Sequence, residues 1–186
     1  MKKSALTVLL AVLLLLTSCA SRQLARGRWE DRVYYNEYGR FQINVNSYFT
    51  IYDDRAIKDD IGAVYASDYV LNDMVISSDY CALIVTMEKT QNAYTREEYA
   101  NQFIENTKNN VLDDSCAMAD PFDETIAGRT FTCVPVRYTY PTASGGMYYY
   151  EYNFITDAED NVFIVLRVSA GSEENIAAAL GMIKEY

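Results

Sequence analysis

"MYYYEYNFITDAEDNVFIVLRVSA", residues 147–170, decides the fold. On an extended chain Tyr148, Tyr150, Tyr152 and Phe154 project to one side and Tyr149 to the other. In the second half, Val162, Ile164, Leu166 and Val168 share one face while Phe163 and Val165 share the opposite one, so both faces call for burial. That pattern predicts a central strand covered twice. Asp157-Ala158-Glu159-Asp160 supplies the turn between the two runs, which makes them an antiparallel hairpin. Just upstream, "RTFTCVPVRYTYP" at 129–141 is a third β run, and Ser144-Gly145-Gly146 turns it back into the quoted stretch as a meander. Pro135 lacks an amide donor, which points its strand to an edge or a bulge.

Working outward, "RVYYNEYGRFQINV" at 32–45 reads as a hairpin. Phe41, Ile43 and Val45 alternate with Arg40, Gln42 and Asn44, and Gly39 suits the turn. Ile57, Ile61 and Val64 at helical spacing predict a helix over 54–66, and "YCALIVTMEK" reads as a strand. Thr95-Arg96-Glu97-Glu98 is a capping box, in which the threonine hydroxyl and the glutamate each satisfy an orphan amide, and it starts a helix to about Leu112. Tyr99, Phe103 and Val111 lie toward its buried side. The stretch "DDSCAMADP" that follows reads as a loop. Ser172 caps a last helix whose stripe is Ile176, Leu180 and Ile183. The expected domain is α+β, a mostly antiparallel β-sheet flanked by helices on both faces.

The N-terminus carries an address. Lys2 and Lys3 precede an apolar run over residues 5–16 that is about 12 residues long, short of the roughly 20 needed to span a bilayer as a helix. A basic head, a short apolar middle and small residues at the end make an export signal. Leu16-Thr17-Ser18-Cys19 also resembles the lipobox of bacterial lipoproteins, in which fatty acyl chains such as palmitate are carried at the cysteine after cleavage just before it. The expected organisation is a signal peptide at 1–18, a lipid-anchored tether at 19–28 and one domain at 29–186 on the extracytoplasmic face of the cell membrane. The tether is not neutral: residues 20–40 hold five arginines against three carboxylates, whereas residues 41–186 hold nine cations against 23 carboxylates. So acidic a body excludes nucleic acid as a partner, because phosphate binding requires a basic patch. With Cys19 assigned to lipid, Cys81, Cys116 and Cys133 remain, either as three free thiols or with Cys116 and Cys133 joined as the one short-loop bridge.

The chain of 186 residues contains no histidine. That removes Ser-His-Asp and Cys-His sites, H-E-x-x-H zinc sites and any imidazole proton transfer near neutral pH. No P-loop, G-x-G-x-x-G, G-x-S-x-G, S-x-x-K or C-x-x-C is present. No cofactor or metal is expected, since the oxygen-rich turn Asp157, Glu159, Asp160 and Asn161 lacks calcium-loop spacing and a following bidentate glutamate. Paired carboxylates cleave glycosides without histidine, but Asp53-Asp54, Asp59-Asp60, Asp113-Asp114 and Glu173-Glu174 fall at helix starts, helix surfaces and loops, where solvated charge accounts for them. Tyrosine, with 17 copies, is the other unusual feature. The row Tyr148, Tyr150 and Tyr152 is either a ligand-binding surface for a sugar or peptide or a tiled core under a helix. Tyr34, Tyr35 and Tyr38 are weaker candidates for a similar surface.

Gly27-x-Trp29, Tyr35-Asn36-Glu37, Gly39 and Phe41-x-Ile43, followed by the late meander, Gly128 and a closing helix, together resemble small bacterial lipoproteins of the PsbP-like fold. This α/β/α sandwich is shared with the photosystem II extrinsic protein and a Ran-binding nuclear import factor. Many relatives carry a Pro-Gly-x-Trp-like turn after the second strand, where this chain reads Asn46-Ser47-Tyr48-Phe49. The resemblance implies an adaptor or assembly factor. The expected function is therefore a lipid-anchored binding or scaffolding protein, contacting membrane lipid through Cys19 and an unknown protein, peptide or glycan. The competing readings are a histidine-free, carboxylate-dependent glycan hydrolase and a structural envelope protein or surface antigen without a small ligand.

Overall fold

The computed structural model describes residues 24–111, 116–142 and 145–186. The leader, Cys19, the start of the tether, Leu112, the Asp113-Asp114 pair and Ser144 lie outside the described residues. Nine strands form the main sheet. Its spatial order is β4 (Thr50–Ile51), β6 (Val70–Ser77), β7 (Cys81–Lys89), β12 (Val162–Ala170), β11 (Gly145–Asp157), β10 (Arg129–Thr142) and β8 (Cys116–Met118), with β5 (Tyr65–Ser67) on β6 and β9 (Phe122–Ile126) on β10. Every pairing is antiparallel. A second sheet of four strands runs β1 (Arg28–Glu30), β2 (Val33–Asn36), β3 (Phe41–Asn44) and β13 (Ile183–Glu185).

The stretch that decides the fold sits where its pattern requires. β12 lies in the middle of the main sheet, between β7 and β11, with Leu166 opposite Val85 on one side and Phe154 on the other. Its Val162, Ile164, Leu166 and Val168 join a core shared with Tyr34, Phe41 and Ile43 of the small sheet and with Ile176 and Ala179 of helix α3 (Glu173–Leu180). Phe163 and Val165 face the other way into a smaller core with Tyr99 and Ala100 of helix α2 (Arg96–Val111). There Tyr99 stacks flat on Phe163, ring centroids 4.1 Å apart and planes 4° off parallel. Helices thus cover both faces of the main sheet, and the small sheet shares the α3 side. It exists because the 33–44 hairpin pairs with the chain's last strand rather than with the meander.

Local chemistry explains the boundaries. The amide of Glu98 donates to the Thr95 hydroxyl at 3.2 Å and the amide of Thr95 to the Glu98 carboxylate at 2.8 Å, which is the expected reciprocal cap. Helix α1 (Asp54–Ile61) is shorter than the expected 54–66, because Gly62 enters the left-handed region at φ 99° and its amide closes on the Lys58 carbonyl. Val64 therefore falls outside the helix. The Ser172 cap accepts from the Asn175 amide as expected, but α3 stops at Leu180, so Ile183 is a buried residue of β13 and not part of the helical stripe. The loop expected around Cys116 contains β8, a short edge strand. Pro135 is opposite Tyr152 on β11, and on its outer side it falls between the stretches where β9 and β8 pair with β10. Its missing amide thus meets a break in the edge, not a partner carbonyl. Among the described residues, Cys81, Cys116 and Cys133 form no disulfide with one another. Cys116 pairs with Tyr138, five residues along β10 from Cys133 and so roughly 17 Å away at strand rise, beyond disulfide reach.

From the sequence, no expectation attaches to β6. β6 carries Asn72 and Asp73 in its middle, and the pairing with β7 slips between Asn72 and Met74. The bulge turns Asp73 into the interior, where its side chain is 1% exposed. The packed body also reaches back beyond residue 29: Leu24, within the span expected as tether, is 3% exposed and belongs to the main core.

Candidate functional site

The aromatic row is graded from core to solvent along β11. Phe154 is buried, Tyr152 and Tyr150 are half-buried against the main core, and Tyr148 is 49% exposed. The sheet topology sets this gradient. β12 ends at Ala170, which pairs with Tyr150, so Tyr148 stands past the last residue of its neighbour, paired only with Thr139 of β10. Helix α3 follows β12 and packs mainly on β12 and β7, meeting β11 at its first residue, Glu173, beside Tyr152. The tiled-core reading therefore holds for Phe154 and gives way to a surface by Tyr148.

Sequence reasoning missed the residues that complete the strip. Phe122 of β9, 41% exposed, sets its ring edge-on to Tyr152 at 6.3 Å. The Arg137 guanidinium lies 5.1 Å from the Tyr148 ring centroid, a cation–π contact at an exposed site. Tyr152 donates its hydroxyl to Glu173 at 3.0 Å, tying the strip to the first residue of α3. Burial, together with that bond and the glutamate charge, pushes the Tyr152 phenol up to about 12. A hollow of about 260 Å³ opens among Met118, Pro135, Arg137, Tyr150, Tyr152 and Glu173. The alternation of β10 offers a signal for Arg137, since it projects on the same face as Pro135; nothing local marks Phe122, which arrives through the β9–β10 pairing.

A second polar assembly lies inside the body. The Asp73 carboxylate accepts from the Gly27 amide at 2.7 Å, from the Arg26 guanidinium at 3.3 Å and from the Tyr34 hydroxyl. Asn36, also buried, donates to the Tyr34 hydroxyl at 2.9 Å and accepts from the Gly39 amide at 2.7 Å. Arg26 reaches on to Asp54 at 2.6 Å. Gly27 is required by proximity: a Cβ there would sit 2.5 Å from the Tyr34 ring and 2.6 Å from the Tyr35 carbonyl oxygen. Burial and the adjoining carboxylate hold the Tyr34 phenol well above its ordinary value. The signal for this assembly was an acid inside an apolar run at 70–77.

Several of the other tyrosines and acids have defined places. Tyr34 is core; Tyr35 is stacked under Arg28 on the outer face of the small sheet, and Tyr38 packs against the core near the β2–β3 turn. Asp53 caps α1, Asp59 pairs with Arg55, and Glu159 pairs with Arg40. Cys19 lies outside the described residues, and among those described no helix is long and apolar enough to cross a membrane.

No protein-family model and no curated protein matches the sequence. Among solved structures, the chain is similar to cyanobacterial PsbP from Synechocystis sp. PCC 6803 at 12% identity and a TM-score of 0.53, over 90% of this chain and 97% of that one. It also aligns with a Bacteroides thetaiotaomicron protein at 12% identity and a TM-score of 0.44, over 85% of this chain and 49% of that one. LpqN of Mycobacterium tuberculosis, described as involved in cell envelope biogenesis, aligns at 13% identity and a TM-score of 0.43, over 78% of this chain and 80% of that one. The match across nearly the full length of both chains, with the two-faced antiparallel sheet and its flanking helices, makes this a PsbP-like α+β fold.

Proposed function

We propose that the protein is a lipid-anchored, extracytoplasmic binding module whose recognition surface is the strip Tyr148, Tyr150 and Tyr152 together with Phe122 and Arg137. The observation that carries this reading is the exposure gradient of the row. Three tyrosines on one strand face, each held in place by pairing on the sheet, end in an exposed ring. Such rings offer wide contact area with little rotamer entropy to lose, and their hydroxyls supply hydrogen bonds at the margin. A pyranose ring or the apolar side chains of a peptide stack on this surface, with Arg137 and Glu173 at its edges for a ligand's polar groups. The module holds its partner without turnover. Cys19 carries the lipid and keeps the module at the membrane.

The strip is tested by screening the domain against glycan and peptide arrays and repeating the titration of any bound ligand with Tyr148→Ala. Loss of a central aromatic contact costs about 2 kcal/mol in binding, roughly thirtyfold in affinity, while the exposed position leaves the melting temperature within about 2 °C. Unchanged affinity in Tyr148→Ala and in Tyr150→Ala removes the strip as the recognition surface.

A further inference from the structure

We infer that residues 24–27 are a strap that fixes the body's orientation on the membrane, with the hairpin-turn end inward and the Tyr148 strip outward. The inference rests on the lipid anchor proposed above. The strap is built into the core at both ends. Leu24 is buried and its carbonyl accepts from the Tyr65 hydroxyl at 3.3 Å, while Arg26 and Gly27 are held by the buried Asp73.

The sheet register gives this attachment a direction. β7 and β12 run between two ends. At one end Lys89 pairs with Val162, beside the turn at 158–161; at the other Cys81 pairs with Ala170, which in turn pairs with Tyr150. β1 runs antiparallel to β2, with Arg28 opposite Tyr35 and Glu30 opposite Val33, so tracing the chain back from Arg28 leads toward the β2–β3 turn. That turn is linked to the 158–161 turn by the ion pair of Arg40 with Glu159, and to the β9–β10 turn by Arg129, which donates to the Tyr38 and Gly39 carbonyls. Tyr65, which meets Leu24, pairs with Leu71, and Leu71 with Met87, two residues from the end of β7. The chain therefore leaves the body toward the turn end, whereas Tyr148 lies past the opposite end.

Cys19 and Leu24 are five residues apart, which limits their separation to about 18 Å. β10, from Arg129 to Thr142, is 14 residues long and so about 43 Å at strand rise. A leash shorter than half the sheet, attached near one end, keeps that end the nearer one. Charges of both signs are exposed there, with Glu37 and Asp160 beside the Arg40–Glu159 pair, so no basic patch draws that end flush against anionic headgroups.

The test uses acylated full-length protein from cells, reconstituted into phosphatidylethanolamine–phosphatidylglycerol vesicles bearing a headgroup-linked acceptor dye. Donors are placed on single cysteines introduced as Asp160→Cys, in the turn end, and Tyr80→Cys, in the exposed β6–β7 turn at the other end, both in a Cys116→Ser background; Cys81 and Cys133 are buried. Energy transfer is expected to be at least twofold stronger from position 160. Arg26→Ala, and independently a ten-residue Gly/Ser insertion after Gln23 that leaves the body untouched, should erase most of that difference. Equal or reversed transfer in protein that still sediments with vesicles overturns the orientation and leaves the anchor standing, and so does a difference that survives the insertion. Failure to sediment overturns the anchor reading and the inference together.

Discussion

Asp73 is the residue on which the interior turns. A carboxylate at 1% exposure is tolerated because three donors converge on it, one of them the Arg26 cation. Asp73→Ala leaves the Gly27 amide and the Tyr34 hydroxyl without their acceptor, and each such loss costs about 1–3 kcal/mol. Urea denaturation should show stability lower by about 3–5 kcal/mol, with Asp73→Asn, which keeps one acceptor oxygen, losing clearly less. Tyr152 makes a prediction of another kind. Its folded-state pKa of about 12 exceeds the ordinary value of 10, so the folded state holds this proton more tightly than the unfolded one. That contribution is complete below pH 10 and is lost as pH rises from 10 toward 12; Tyr34 and Tyr99 shift in the same direction. Thermal melts between pH 8 and 12 should fall above pH 10, and the fall should be shallower in Tyr152→Phe. Neither role was legible locally. An aspartate in an apolar run looks like an interruption until the bulge turns it inward, and the alternation of 148–154 fixes which tyrosines share a face but not where the neighbouring strand ends.

At the scale of elements, the most readable features were those with their own local chemistry. The Thr95–Glu98 box, the Ser172 cap and the two-faced pattern of 162–168 each specify a structure without reference to distant residues, and each is present. Elements that depend on partners were harder to read. β8 and β13 have three residues each and exist because β10 and β3 offer them an edge. β6 is interrupted by polar residues that only the bulge reconciles with a strand. Helix α1 was overextended because the apolar spacing of Ile57, Ile61 and Val64 continues past Gly62, where the backbone ends it. The capping box is testable on its own: Thr95→Ala should lower stability by about 1 kcal/mol in chemical denaturation. An effect near zero would mean that packing of Tyr99 on Phe163, rather than the cap, sets where α2 begins.

At the scale of the molecule, the account joins two ends of one chain. On the proposed reading the leader and Cys19 address it to a membrane and the strap carries that address into the core through Asp73, while the meander extends an aromatic face in the opposite direction. The uneven charge fits this polarity, with arginines concentrated before residue 41 and an acidic body beyond. The absence of histidine limits what such a body does chemically near neutral pH, and a binding role needs none. The most direct test is the intact mass of the protein recovered from cell membranes, compared with a Cys19→Ala variant. A mature chain beginning at Cys19 and carrying added acyl mass, with the variant lost from the membrane fraction, is the predicted result. Membrane-bound wild-type protein that still begins at Met1, without acyl mass, would contradict it.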